Sequence, residues 1–345
     1  MSELTHSERI SMVMNHEEPD RVPFSLGLIL HGAKLLNLSL PEYFSKIDNV
    51  VRSQIRLQEK YGVDVLSAYF FSALEFKSWG GDVIYYEDGP PNAGKPIINE
   101  FEDIKDLEVP NIYNSPSLQK ILKATTLMKE KLKKDIPIMG VVVSPFSLPI
   151  MQMGFGKYIE LVYEKNDLFN LLMDFNKEFC VKWANAQLEA GASVIAYYDP
   201  MSSPTIIPRE LFLDTGYKII QDIIKKVDGD IAIHFASGRT ENILEDLIQT
   251  GVVGIGVSSL DNLSKVKSIC RDKVTVMGNL NGIEMCNWTP QQAEEEVKNT
   301  IEQAAAGGGF ILSDHLGEIP YQVSEEVLLA ISHAVKKWGK YPLKM

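Results

Sequence analysis

The sequence predicts an α/β protein, a TIM-like (β/α)8 barrel, on three observations. Eight short apolar runs are spaced along the chain, amphipathic stretches of helix length lie between them, and the runs are continuous rather than alternating. Strands buried on both faces read as unbroken β-branched runs, the pattern of a parallel sheet covered by helices. Eight such units in one chain fit a closed barrel. An open doubly wound sheet is the competing arrangement, but no glycine-rich phosphate loop follows any of the runs.

Taken in order, the chain begins with a polar, charged segment, "MSELTHSERI", which leads into an N-terminal helical stretch and lacks the apolar core of a signal peptide. The first two strand runs are "VPFSLGL" (22–28) and "VDVLSAY" (63–69). After the second comes an excursion, 70–135. Within it "DVIYYEDGPPNAGKPII" (82–98) reads as a β-hairpin over a Pro-Gly turn, placed to cover one end of the barrel. The remaining runs are 136–143, 193–199, 231–236, 254–259, 274–280 and 309–315. Helical patterns fill the gaps. One spans 209–227, and another spans 289–306 with Thr289 as N-cap and Pro290 at the first helical position. No repeat, linker or composition shift divides residues 1–345, so one domain is expected. The 345 residues exceed a typical domain, but barrels of this kind reach ~250 residues or more.

Composition narrows the function classes. The net charge is −12, with 34 basic against 46 acidic residues and no basic cluster interleaved with aromatics, which argues against nucleic acid. No apolar run approaches the ~18 residues of a membrane span. Three cysteines without close spacing, Cys180, Cys270 and Cys286, predict no disulfide framework and a reducing, cytoplasmic setting.

Barrels of this class carry their sites at the C-terminal ends of the strands. Those ends hold Tyr69, Ser144, Asp199, His234, Asn279, Asp314 and His315, with His31 just beyond the first run. His6, His16 and His333 sit in polar or helical stretches and read as solvated. Each rim residue has a plainer reading as well. A lone histidine at a strand end is often a hydrogen-bonded structural residue, and Asp199 before Pro200 suits a turn. Their convergence on one face favours function, because imidazoles and carboxylates so placed bind a divalent metal or move protons. The expected catalytic set is His234, Asp199 and His315; the expected substrate contacts are Tyr69, Ser144 and Asn279. A metal would fall to His234, Asp314 and His315, the register of the last strand deciding which of the last two points inward.

The segments "HSERISMVMNHEEPDRVPFSL" (6–26), "WGGDVIYYEDGPP" (79–91), "EAGASVIAYYDP" (189–200), "IHFASGRTENILEDLIQTGVVGI" (233–255), "VTVMGNLNG" (274–282) and "GGGFILSDHLGEIP" (307–320) resemble the uroporphyrinogen decarboxylase superfamily, which includes corrinoid-dependent methyltransferases. The resemblance covers about residues 5–340 and implies the same TIM-like barrel. True decarboxylases carry an arginine-rich segment after the first strand; here 24–39 holds Lys34 and no arginine, which counts against gripping a polycarboxylate. Thiol-methylating relatives hold zinc with His-x-Cys after the fifth strand and a Cys after the eighth. This chain matches at His234, but has Ala236 at the second position and no cysteine in 313–318.

The resemblance therefore implies a methyltransferase that moves a methyl group from a small methylated substrate, an aromatic methyl ether by preference, to the cobalt of a corrinoid carried on a partner protein. Zinc, if used, would have nitrogen and oxygen ligands. A ring-shaped pocket can be drawn from "AYFF" (68–71), Met151, Met153 and Phe155, which read equally as packing. A thiol- or pterin-directed methyltransferase, a decarboxylase and a non-catalytic binding barrel are the alternatives, and a homodimer is compatible with all of them.

Overall fold

Thr5 starts the first helix, His6–Met14, with a capping box: its hydroxyl accepts from the Glu8 amide while the Glu8 carboxylate accepts from the Thr5 amide. In this computed structural model, which describes residues 4–132 and 135–343, that helix lies under one end of the sheet. It is fastened there by charge. Arg9 donates to Asp64 at 2.9 Å and to Asp20 at 2.7 Å, and Arg21 donates to Asp64 at 2.7 Å. His6, expected to be solvated, bonds Asp64 through Nδ1 at 2.7 Å; the long sequence separation between residues 6 and 64 hid this pairing.

The strands are β1 (Phe24–Ser25), β2 (Val83–Ile84), β3 (Asn92–Ala93), β4 (Met139–Val143), β5 (Val194–Tyr198), β6 (Ile231–His234), β7 (Gly254–Gly256), β8 (Thr275–Leu280) and β9 (Phe310–Asp314). Seven of them form one parallel sheet in the order β1-β9-β8-β7-β6-β5-β4, and β2 pairs antiparallel with β3. Residues from all seven strands of the large sheet line a single cavity, among them Ser25, Met139, Ala196, Ala232, Gly254, Met277 and Ile311. The sheet thus curls around an interior, with helices outside.

Two expected strands are shorter than their apolar runs. The run 22–28 yields only β1, since Gly27 passes so close to Gly317 that an added Cβ would lie 2.2 Å from its carbonyl oxygen. The run 63–69 forms only an isolated parallel bridge, Leu66 to Ile138. Its backbone bonds run from Asp64 N to the Phe24 carbonyl (2.8 Å), from Leu66 N to the Pro137 carbonyl (3.0 Å), and from Met139 N to the Leu66 carbonyl (2.7 Å). The Phe24 amide, which a regular ladder would give to a carbonyl, is instead taken by the Asp64 carboxylate at 2.9 Å.

The helix read over 209–227 breaks into Arg209–Asp214 and Gly216–Ile224. Gly216 packs so tightly that a Cβ there would sit 1.9 Å from Ser202 Oγ. The helix Pro290–Ala304 starts as its sequence predicts, with Thr289 and Gln292 in a capping box. The β2–β3 hairpin is tied to the loop beyond β9, where Gln322 Nε2 donates to the Asp88 carbonyl at 3.0 Å. No helix among the described residues is long and apolar enough to cross a membrane.

Candidate active site

The register of the parallel ladder decides what faces inward. Tyr198 pairs with His234, His234 with Gly256, and Gly256 with Met277. Tyr198, His234 and Met277 all line the cavity. Gly256 is needed at its place, since a Cβ would lie 2.3 Å from His234 Cδ2. The Tyr198 and His234 rings lie with centroids 4.9 Å apart. The cavity has a volume of about 450 Å³, within the range of small-molecule sites.

His234 is held by the loop that follows it. The Ala236 amide donates to Nδ1 at 3.0 Å, which leaves the proton of the neutral ring on Nε2. Ala236 and Ser237 both adopt left-handed backbone, φ 44° and 71°, a conformation that costs non-glycine residues about 1–3 kcal/mol each. Neighbouring strand ends hold it: Ser237 N donates to the His315 carbonyl at 2.7 Å, and Ser258 Oγ donates to the Ser237 carbonyl at 2.8 Å. Burial pushes His234 down to about 4, with His315 adding to the effect and the Asp314 backbone opposing it. At neutral pH the ring is an uncharged donor through Nε2.

Asp314, the last residue of β9, also lines the cavity. Its Oδ1 accepts from the amides of Leu316 (2.7 Å) and Gly317 (2.6 Å), while Oδ2 has no hydrogen-bond partner. Burial raises its pKa against the pull of those amides. A proton on this carboxyl therefore sits on Oδ2. A second carboxyl stands close by. Glu318 Oε1 accepts from the Leu30 amide at 3.0 Å, and burial and the nearness of Asp314 raise its pKa well above the usual range. Gly317, between the two, leaves room for the Tyr198 hydroxyl, which would lie 1.9 Å from a Cβ. Burial thus works against charge on both carboxyls and on the His234 ring.

Of the expected residues, His234 and Asp314 meet at the cavity. His315 is buried at its edge, with Nδ1 accepting from Ser259 N at 3.3 Å and Nε2 unpartnered, and it is not part of the lining. The others lie outside the lining. Asp199 is fully buried and accepts three hydroxyls, from Ser144 (2.6 Å), Ser147 (2.7 Å) and Ser202 (2.5 Å). That knot fixes the turn after β5 and uses up both Asp199 and Ser144. Tyr69 donates to Glu75 Oε1 at 2.8 Å, on a carboxyl that burial raises to about 8. Asn279 Nδ2 donates to the Ser258 carbonyl at 2.9 Å. These four were expected to touch or act on substrate; each is bonded to the scaffold and none lines the cavity. His31 gives Nε2 to the Pro320 carbonyl at 3.1 Å. Phe70, Phe71 and Met153 are core, Phe155 is exposed, and none lines the cavity.

These side chains do not form a zinc site. No three His, Cys, Asp or Glu side chains among the described residues are grouped to share a metal. A metal-binding histidine normally donates through its second nitrogen, whereas His234 Nδ1 already accepts from Ala236 N. Of the cysteines, Cys180 and Cys270 are buried in helices and Cys286 is half-buried beyond β8. Sequence reasoning missed Tyr198 and Glu318. Strand parity signals the first, since Ala196 and Tyr198 alternate with outward Ile195 and Tyr197; a lone glutamate in the turn 313–320 signals the second.

A curled parallel sheet with its polar groups gathered where the strands end defines a barrel-type enzyme pocket. The chain belongs to the uroporphyrinogen decarboxylase (URO-D) family, whose model matches residues 5–338. Among its relatives are enzymes that act with corrinoids. The methylcobamide:CoM methyltransferase MtaA of Methanosarcina barkeri is 27% identical over 336 residues, 95% of this chain and 96% of the relative. A uroporphyrinogen decarboxylase of Pseudoalteromonas translucida is 25% identical over 241 residues, 67% of each chain. A solved methyltransferase from Methanosarcina mazei shares the fold, with TM-score 0.86 at 20% identity, covering 97% of this chain and 99% of that one.

Proposed function

We propose that this protein is a methyltransferase that exchanges a methyl group between a small substrate in the barrel mouth and the cobalt of a corrinoid carried on a separate protein, with an aromatic methyl ether as donor. The observation that carries the choice of an oxygen leaving group is that His234, with its ring proton on Nε2, and Asp314, with one carboxylate oxygen lacking a partner, line one cavity. Support for corrinoid chemistry comes from relatives that match along almost their whole length. Cleaving an aryl ether leaves its bonding electron pair on oxygen, and donors aimed at that oxygen stabilise the charge. Asp314 delivers its proton to the departing oxygen, and His234 donates a hydrogen bond to it. A cobalt(I) corrinoid supplies the electron pair that takes the methyl carbon. No step is assigned to zinc. The pocket needs a continuous wall, and we take residues 63–69 as the eighth stave of the barrel. A single domain, a cytoplasmic setting and a homodimer belong to the same proposal.

The test is incubation of the protein with cob(I)alamin and methoxylated aromatics, following alkylation of the corrinoid by absorbance. Asp314→Asn is expected to slow transfer ~10²-fold or more with unchanged melting, in line with loss of a general acid. An Asp314→Asn protein as fast as its parent removes the proposal. The match to methylcobamide:CoM methyltransferases favours a second reading, in which a methylated corrinoid gives its methyl to a thiol. Missing thiolate donors at 236 and 313–318 oppose it. Demethylation of methylcobalamin by 2-mercaptoethanesulfonate, with no activity on ethers, would select it.

A further inference from the structure

Barrel interiors of this class are usually packed in layers of bulky branched side chains. One layer here is built from small residues on three adjacent strands, with the flexible Met277 side chain over it, 3.5 Å from where a Gly254 Cβ would lie. Ala196 pairs with Ala232, and Ala232 pairs with Gly254, so three adjacent strands present two methyl groups and a hydrogen to the axis. All three residues line the cavity, which continues below the Tyr198–His234 level as far as Ile10 and Met14 of the first helix. From Tyr198 to Val194 the chamber follows four residues of strand, about 13 Å at ~3.3 Å per residue. Met139, Met277 and Ile311 complete the walls. Methionine sulfur suits the edge of an aromatic ring, and the thioether adapts to its outline.

We infer that the barrel axis is the chamber for the body of the substrate: an aryl ring bearing an apolar para chain, with its oxygen at His234 and Asp314 and its chain pointing toward the first helix. Ala196, Ala232 and Gly254 set the depth of the chamber. The inference rests on the methyl-ether reading for what happens at the oxygen, but the binding mode is separable from the reaction. A polar group is disfavoured in the middle of the chamber, which offers it hydrocarbon and thioether, while Ser7, Ser11, Asn15, Ser193 and Asp230 line the far end.

The experiment is calorimetric titration of the full chain with 4-alkylphenols from phenol to hexylphenol. Affinity is expected to rise about fourfold per methylene, until the chain meets the floor. Ala232→Leu should shorten the best chain and weaken hexylphenol at least tenfold more than it weakens phenol. If Ala232→Leu does not fold, Ala196→Val makes the same prediction with a smaller shift. Affinity independent of chain length, or a folded variant with the parent's length profile, overturns the inference. Length-dependent binding without methyl transfer would keep the chamber and remove the proposed reaction. Transfer from methyl ethers with no length dependence would do the reverse.

Discussion

The two ends of the sheet each bury an aspartate, and they treat it in opposite ways. At the floor, burial pushes Asp64 up, but His6, Arg21 and Arg9 outweigh it and hold its pKa below the usual value. At the mouth, burial of Asp314 meets only backbone amides, and its pKa rises. Asp64 accepts from two arginines, a histidine and the Phe24 amide, whereas Asp314 keeps one oxygen without a partner. A buried acid with every lone pair committed fastens structure. A buried acid left half-committed is pushed toward its neutral form. The difference separates an end fastened by charge from the end where the proposed reaction is placed.

The sharpest way to break this comparison is Asp64→Ala. Removing one partner strands two arginines in a buried network, and a loss of about 3–5 kcal/mol is expected in urea unfolding. Asp314→Asn should leave the unfolding midpoint close to the parent. Equal losses for the two variants would erase the distinction. A smaller effect is expected from Tyr69→Phe, which takes from Glu75 the hydroxyl that donates to it at 2.8 Å. About 1–3 kcal/mol of stability should go, with KM for any substrate unchanged. A raised KM would return Tyr69 to the substrate site.

The smallest effect is a pH dependence. His234 is lowered to about 4 when folded, against ~6.5 for an unfolded chain. Between those values the unfolded state binds a proton that the folded state refuses, so stability falls as pH drops from about 6.5 toward 4. His234→Gln should lose this part of the slope, at most about 1.4 kcal/mol per pH unit. Comparing urea midpoints at pH 7 and pH 5 isolates it from the buried His31, which shifts the same way and is present in both proteins. An unchanged slope would mean that the ring takes up its proton at the same pH in the folded and unfolded chain.

Much of the scaffold was legible in order. The runs at 136–143, 193–199, 231–236, 254–259, 274–280 and 309–315 each contain one strand of the parallel sheet. The cap at Thr289 was readable because capping is local. The break at Thr215 was not, since it answers to Ser202 across a tight contact. His234 and Asp314 were expected at strand ends, and both line the cavity. Asp199, Ser144, Tyr69 and Asn279 occupy equivalent places, yet their partners are buried side chains and carbonyls from other segments.

By itself the sequence determined the periodicity, and with it the parallel sheet, the order of its strands along the chain and the absence of thiolate donors beside His234. Those follow from residue type and spacing, which are properties of the chain alone. Only the tertiary structure decided which polar groups remain free. Whether an acid is a fastener or a donor depends on what distant segments bring within hydrogen-bond reach, and no local pattern encodes that.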